Sequence, residues 1–208
     1  MNAEESAIAS PAQARQYAAL MALTRGGLGL DGDERGAVQL VTATVAEALE
    51  VARVSLWRFD ASRRMIVCQD LFDTGSGQHS AGAVLHDTVI SGYFRALAEN
   101  DIIAADDART DPRTAELADS YLEPLGITSM LDVPVLVAGR LDGVLCCEHI
   151  GEVRRWTHGE HSFATSVANL VALMLTQCAR AQSEARLRSV VEHEPECVKI
   201  VDLGGNVL

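Results

Sequence analysis

Residues 102–149 read IIAADDARTDPRTAELADSYLEPLGITSMLDVPVLVAGRLDGVLCCEH, and the order of apolar runs and breakers in them admits few chain paths. Ile102, Ile103 and Ala104 form a short apolar run. Asp111-Pro112 predicts a helix start, because Pro fits the first helical position, where no backbone donor is needed. Ala118, Tyr121, Leu122 and Leu125 follow at helical spacing, and Gly126 suits a helix stop. Leu131, Val133, Val135 and Val137 then alternate as a strand. Gly139 sits in a turn, and residues 141–149 return as the second arm of a hairpin. The segment is therefore strand, helix, hairpin.

The residues before it supply helices and further strands. Ser10-Pro11 is a helix start, with Ser as the cap, and Gly26-Gly27 ends that helix. A second helix is predicted from about Glu34 to Leu49, with Val38, Val41, Val45 and Ala48 on one stripe. Residues 52–59 put Val54 and Leu56 on one strand face and Ser55, Trp57 and Phe59 on the other, so both faces are expected to be covered. Residues 64–72 form the next strand, followed by a polar loop at 74–80. Ile90, Tyr93, Phe94 and Leu97 mark a helix ending near Asn100.

The last part differs in kind. From Thr157 the pattern is helical, with Phe163, Val167, Val171, Met174, Cys178, Ala181 and Ala185 spaced 4, 4, 3, 4, 3 and 4. That averages close to the 3.5-residue repeat that keeps one seam against a partner helix. The expectation is a long helix whose first half packs on the domain and whose second half projects toward a second subunit.

Composition narrows the function classes. A net charge of −12 disfavours nucleic-acid binding, since an acidic surface repels phosphate backbones. No apolar run reaches the ~18 residues of a membrane span, and the first residues have early acids and no apolar stretch of a signal peptide. A cytoplasmic protein is the expectation. The five cysteines show no CxxC spacing and fall in apolar or periodic segments, which favours buried, reduced thiols.

The order of elements and the wording SMLDVPVLVAGRLDGVLCCEH resemble a GAF domain, a regulatory small-molecule-sensing module. The resemblance covers about residues 33–179 and is strongest at 102–112, 129–134 and 143–149, followed by Trp156. It implies an α+β fold with an antiparallel sheet of five or six strands. Flanking helices from about Glu34 and Thr157 would cover one face. The middle helices and loops would cover the other, with any ligand pocket between that face and its cover. It also implies a homodimer packed through the terminal helices. Residues 187–208 resemble the first helix and hairpin of a PAS domain, another sensory module. The implied organisation is an N-terminal helix and connector (1–32), the GAF-like domain (33–179), a signalling helix (180–190) and a truncated PAS-like start (191–208).

Specialised GAF types can be tested on single residues. The spaced Asn-Lys-Phe-Asp-Glu set of cyclic-nucleotide binders cannot be laid onto this chain. Phytochrome-like relatives attach a bilin through Cys, and cyanobacterial ones often place Cys-His four residues before Tyr-Leu. Here Leu117 and Ala118 occupy those places ahead of Tyr121-Leu122, which argues against a covalent bilin. Relatives that reduce methionine sulfoxide need several cysteines converging on one pocket; adjacent Cys146 and Cys147 point to opposite strand faces, which argues against a shared site unless Cys68 pairs with one of them.

The candidate pocket residues are the aromatics Trp57, Tyr93, Phe94 and Tyr121, with Ser129 as a polar contact. The candidate dimer-helix residues are those of the seam from Phe163 to Ala185. Glu148 and His149 could suggest a metal or haem ligand, with Cys147 on the face of His149 and with His79 and His86 on a loop; a strand-end His bonded to backbone or solvent is the simpler reading, and no metal site is assigned. Asp106, Asp107, Arg109, Asp111 and Arg113 read as caps rather than catalysts. Asp132 is a carboxylate in an apolar strand, which either faces solvent near an edge or bonds to the cover. No Ser/His/Asp signature, P-loop or dinucleotide fingerprint is present. The expected function is a non-catalytic sensory module of a signalling protein, a histidine kinase first and a cyclic-dinucleotide synthase second. The alternatives are a redox, metal or haem sensor using Cys and His residues, and a small sulfoxide reductase.

Overall fold

The computed structural model describes residues 10–29, 32–88, 91–99 and 102–193. The elements are α1 (Pro11–Arg25), α2 (Glu34–Leu49), β1 (Arg53–Phe59), β2 (Met65–Asp73), β3 (Gln78–Ser80), β4 (Val84–His86), α3 (Ser91–Ala98), β5 (Ile103–Ala105), β6 (Ile127–Val137), β7 (Arg140–Ile150) and α4 (His158–His193). Between β5 and β6 lie a single 3-10 turn, Ala115–Leu117, and a π-helical turn, Ala118–Leu122. The predicted PAS-like hairpin, Ile90, Asn100 and Cys197 fall outside the described residues.

Local chemistry sets the helix ends. Ser10 accepts from the Gln13 N–H while the Gln13 side chain accepts from the Ser10 N–H, a reciprocal cap, and Pro11 follows. Asp33 caps α2 through Gly36. Thr157 and Glu160 form the same kind of reciprocal pair at the start of α4.

The strands form one antiparallel sheet in the order β3-β2-β1-β7-β6-β5, with β4 also pairing along β2. Seven strands therefore stand where five or six were expected, the extra ones being the three-residue pieces β3 and β4. The long hairpin β6–β7 turns at Ala138 and Gly139, both at positive φ. Helices α1, α2 and α4 cover one face. There Val54, Leu56, Leu131, Val133, Leu145 and Cys147 meet Val41, Val45, Val167 and Val171. Trp57, Ile66, Cys68, Met130, Val144 and Cys146 point to the other face, where α3 and the 3-10 and π turns cover them with Tyr93, Leu97, Leu117 and Leu122. A bulge at Gln69 flips the parity of β2, so Ile66 and Cys68 join the cover side while Asp70 faces Thr42 of α2.

Two sequence expectations are corrected here. No regular helix starts at Asp111-Pro112. Residues 112–114 are a turn, and Arg113 is drawn back to Asp111 and to the Ala104 carbonyl. The helical spacing of Ala118, Tyr121 and Leu122 is met instead by one π-helical turn. The second correction concerns the seam on α4. Phe163, Val167, Val171, Met174 and Cys178 are all buried within the subunit, against its own sheet and α2. They are core residues and are closed to a partner helix. Only Ala181, half-buried, and Ala185, exposed, continue the seam beyond the sheet. The 36 residues of α4 span about 54 Å at 1.5 Å each, which is why its last turns overhang the domain. By length and composition His158–Ser189 would suffice to cross a membrane, but the apolar stripe that gives it this character is the one packed on the sheet.

Candidate functional site

Two tyrosines from the cover reach down to two carboxylates on the sheet. Tyr93 of α3 donates a hydrogen bond of 2.7 Å to Asp132 of β6. Tyr121 of the π turn donates one of 2.7 Å to Glu148 of β7. Asp132 and Cys146 are register partners across β6 and β7, as are Met130 and Glu148. The two carboxylates are thus diagonal neighbours on one face of the hairpin, the spacing at which side chains still meet. Both are sealed from solvent, at 0% and 1% exposure, which is rare for acids that are not fully paired.

Their electrostatics differ. Glu148 lies 3.4 Å from the Arg53 guanidinium of β1, which sits 5.7 Å from the centre of the Tyr121 ring. Burial raises the Glu148 carboxyl, and Arg53 and the Tyr121 hydroxyl oppose the rise. Asp132 has no cation within ion-pair distance among the described residues, and its Oδ1 has no hydrogen-bond partner there. Burial pushes its carboxyl up to about 7, against the hydrogen bond from Tyr93. Tyr93 and Cys146 are driven up by the same burial and by the neighbouring acid, so both stay protonated.

Trp57, Ile66, Leu85, Tyr93, Leu117 and Tyr121 surround a space of about 10 Å³ against Met130, Cys146 and Glu148. That is room for one water molecule. With the tyrosines docked, the site is closed.

Trp57, Tyr93 and Tyr121 come together around this space. Phe94 does not join them. It turns outward and stacks edge-on against Phe59, with ring centres 5.5 Å apart, beside a surface groove shared with Arg63 and Arg95. Ser129 lies on the opposite sheet face, where its Oγ accepts from the Arg154 N–H next to α4. It shares the parity of Leu131 and Val133, and that face belongs to the helices. The residues that sequence reasoning did not place in the pocket are Glu148, Cys146, Met130 and Arg53. Asp132 carried a signal of its own, an acid in an apolar strand, and of its two readings the bond to the cover is the one observed.

The other candidate chemistry resolves into structure. Asp106 accepts from the Trp156 N–H, Asp107 from the Arg109 N–H, and Asp111 from Arg113. The Arg113 guanidinium holds the Asp111 carboxyl below its ordinary range. Cys146 and Cys147 point to opposite faces, and Cys68, Cys146, Cys147 and Cys178 are all buried. Burial pushes Cys68 up to about 12 and Cys147 well above its ordinary value. His149 is lowered by partial burial and by Arg154. Among the described residues no group of three or more His, Cys, Asp or Glu is gathered to hold a metal ion. His79 contacts Asp70 at 2.8 Å on the helix side of the sheet, away from His149.

The architecture has close counterparts among solved structures. The GAF domain of a phosphoenolpyruvate-protein phosphotransferase from Coxiella burnetii superposes with a TM-score of 0.64 at 20% identity, covering 84% of this chain and 99% of that one. The free methionine-R-sulfoxide reductase from Neisseria meningitidis, solved in complex with its substrate, gives a TM-score of 0.67 at 16% identity, covering 84% and 96%. The blue-light absorbing form of the Thermosynechococcus elongatus PixJ GAF domain gives 0.62 at 21% identity, covering 80% and 97%. At these identities the likeness is one of fold. No curated protein matches the sequence. The family model described as GAF domain matches residues 33–175, most of the chain, and with the sheet, its helices and its cover in place the chain belongs to the GAF domain family of regulatory, ligand-binding modules.

Proposed function

We propose that this chain is the sensory module of a signal-transduction protein, binding a small molecule between the sheet and its cover and passing the change to α4. The observation that carries this reading is the pair of tyrosine latches. The cover elements reach the sheet acids through Tyr93–Asp132 and Tyr121–Glu148, two polar contacts that a ligand can replace. A ligand shifts a conformational equilibrium only through its different affinity for the two states. Replacing both latches gives it that difference, because the docked and undocked covers offer it different partners.

The path to α4 is short. Met130 and Asp132 face the cover while Leu131 and Val133, between and beside them on β6, pack against the helix layer that includes Val167 and Val171. A shift of β6 is felt directly by α4. From residue 179 to 189 the helix is almost wholly exposed, with Ala181 and Ala185 on the continuing seam. That geometry suits a homodimer in which the overhanging turns pack on those of a second copy. The parent is read as a histidine kinase in the first place and a cyclic-dinucleotide synthase in the second. This rests on the sequence resemblance of residues 187–208 to the start of a PAS domain and on the company such modules keep.

The buried, protonated thiols favour this reading over a thiol-based redox sensor, since the thiolate is the reactive form. Native mass spectrometry of the purified chain tests it. The expected result is a dimer that retains, or takes up from a metabolite extract, a stoichiometric small molecule. A chain that stays monomeric at high concentration and takes up nothing would sink both halves of the proposal.

A further inference from the structure

The charge balance of the closed site is incomplete. Its polar interior holds two carboxylates, and the one guanidinium that contacts them, Arg53, serves Glu148. Asp132, fully buried, meets the Tyr93 hydroxyl and the Cys146 thiol, with Arg113 acting only from beyond ion-pair distance, and its Oδ1 is without a hydrogen-bond partner among the described residues. It lies behind Tyr93 at the edge of the small space whose walls are mainly aromatic and apolar, Trp57, Tyr93, Tyr121, Leu117 and Met130, with Cys146 and Glu148 as the polar members. An ionised acid in such surroundings is expensive, and the cost is relieved by a proton or by a cation that joins it. Aromatic faces add to the attraction for a cation and do nothing for an anion.

We propose that the site takes a small organic cation, whose ammonium group pairs with Asp132 in place of the Tyr93 hydroxyl while its carbon skeleton lies against Trp57 and Met130. The inference rests on the sensory reading above and adds the ligand's chemical class. An ammonium supplies three donors where the phenol supplies one, so it satisfies the oxygen of Asp132 that the closed state leaves bare. The Tyr93 ring leaves with α3, and this makes ligand binding and cover opening the same event. Anionic ligands are excluded by the same pair of acids. Neutral ligands gain nothing from the second oxygen that water cannot supply.

Four-carbon probes of equal size isolate the charge: butylamine, butanol and butyrate. The full chain is titrated with each, and binding is followed by ligand-observed NMR and by thermal shift. Butylamine is expected to bind saturably and raise the melting temperature, and the other two to leave it unchanged. Asp132→Asn, which keeps the shape and an acceptor for Tyr93, should weaken butylamine at least tenfold. Glu148→Gln should weaken it less. Tyr121→Phe, which frees one latch, should tighten it. If butylamine fails to bind, or binds Asp132→Asn as well as the wild type, the cation assignment is overturned. If native mass spectrometry finds a neutral or acidic molecule held equally by wild type and Asp132→Asn, the sensory reading stands and the cation assignment alone falls.

Discussion

The hydroxyl of Tyr93 and the carboxyl of Asp132 meet at 2.7 Å in a place with no access to water, joining α3 of the cover to the middle of β6. Such a contact is strong because the local dielectric is low, and costly for the same reason when the acid is charged. On the proposed reading, the stability and the function of this domain share a group.

That sharing has a pH signature. Asp132 is raised from 3.8 to about 7, facing Tyr93 from α3, Cys146 and Glu148 from β7, and Arg113 from the loop after β5. Between those two values the native state holds a proton that the unfolded chain has released. Stability must then fall as pH rises from about 4 to about 7, by up to about 1.4 kcal/mol per unit, and level off above. Asp132→Asn removes this slope and should match or exceed the wild type in urea midpoint at pH 8. The slope left in the variant combines Glu148, raised and so of the same sign, with His149, lowered and so of the opposite sign. Parallel wild-type and variant curves from pH 5 to 8 would contradict the assignment.

Gly143 marks the closest approach in the sheet. A methyl group there would lie 2.1 Å from the Trp57 carbonyl oxygen on the neighbouring strand, where Arg58 and Gly143 are register partners. Neither backbone can move without breaking the β1–β7 ladder. Gly143→Ala should cost at least about 3 kcal/mol, the upper end for overpacking. Gly139→Ala, in the open hairpin turn at φ 75°, should cost only about 1 kcal/mol from the left-handed backbone. Chemical denaturation of the two variants gives the comparison.

Thiol titration should separate native from unfolded protein completely. Cys68, Cys146, Cys147 and Cys178 are buried, and burial raises the first three. In a Cys197→Ser background a disulfide reagent should modify no thiol within minutes at pH 8 and all four in denaturant. Fast reaction of any of the four in the folded state would reopen a redox role.

Along α4, position decides between stability and assembly. Met174 is buried in the core, so Met174→Ala should cost about 2–5 kcal/mol and lower the melting temperature of the domain. Ala185 is exposed, so Ala185→Glu should change stability by no more than about 0.5 kcal/mol. It should nonetheless shift the chain from dimer to monomer in light-scattering measurements. A dimer untouched by Ala181→Glu and Ala185→Glu together would place the subunit contact elsewhere.

Much of the fold was legible because its signals are local. The cap at Ser10, the helix starts near Glu34 and Thr157, the turn at Gly139, and the alternation of Val54 and Leu56 against Ser55 and Trp57 depend on neighbours within a few residues. So does the opposition of Cys146 and Cys147. The stretch 111–122 was misread for the opposite reason. Its spacing is helical, but Arg113 is held by Asp111 and by the Ala104 carbonyl of β5, and this distant strand end bends the chain into short turns.

By itself the sequence determined which residues are buried together: the two parities of β1, β6 and β7, the stripe on α4 and the family that this pattern belongs to. Only the tertiary structure decided what buries them. Periodicity shows that Phe163 to Cys178 face something apolar and is silent on whether that is a partner helix or the subunit's own sheet. Likewise it puts Ser129 with Leu131 and Asp132 with Met130, and it takes the packed layers to send the first pair to the helices and the second to the site. The partner of a buried face is chosen by contacts between residues far apart in the chain, and no local spacing encodes them.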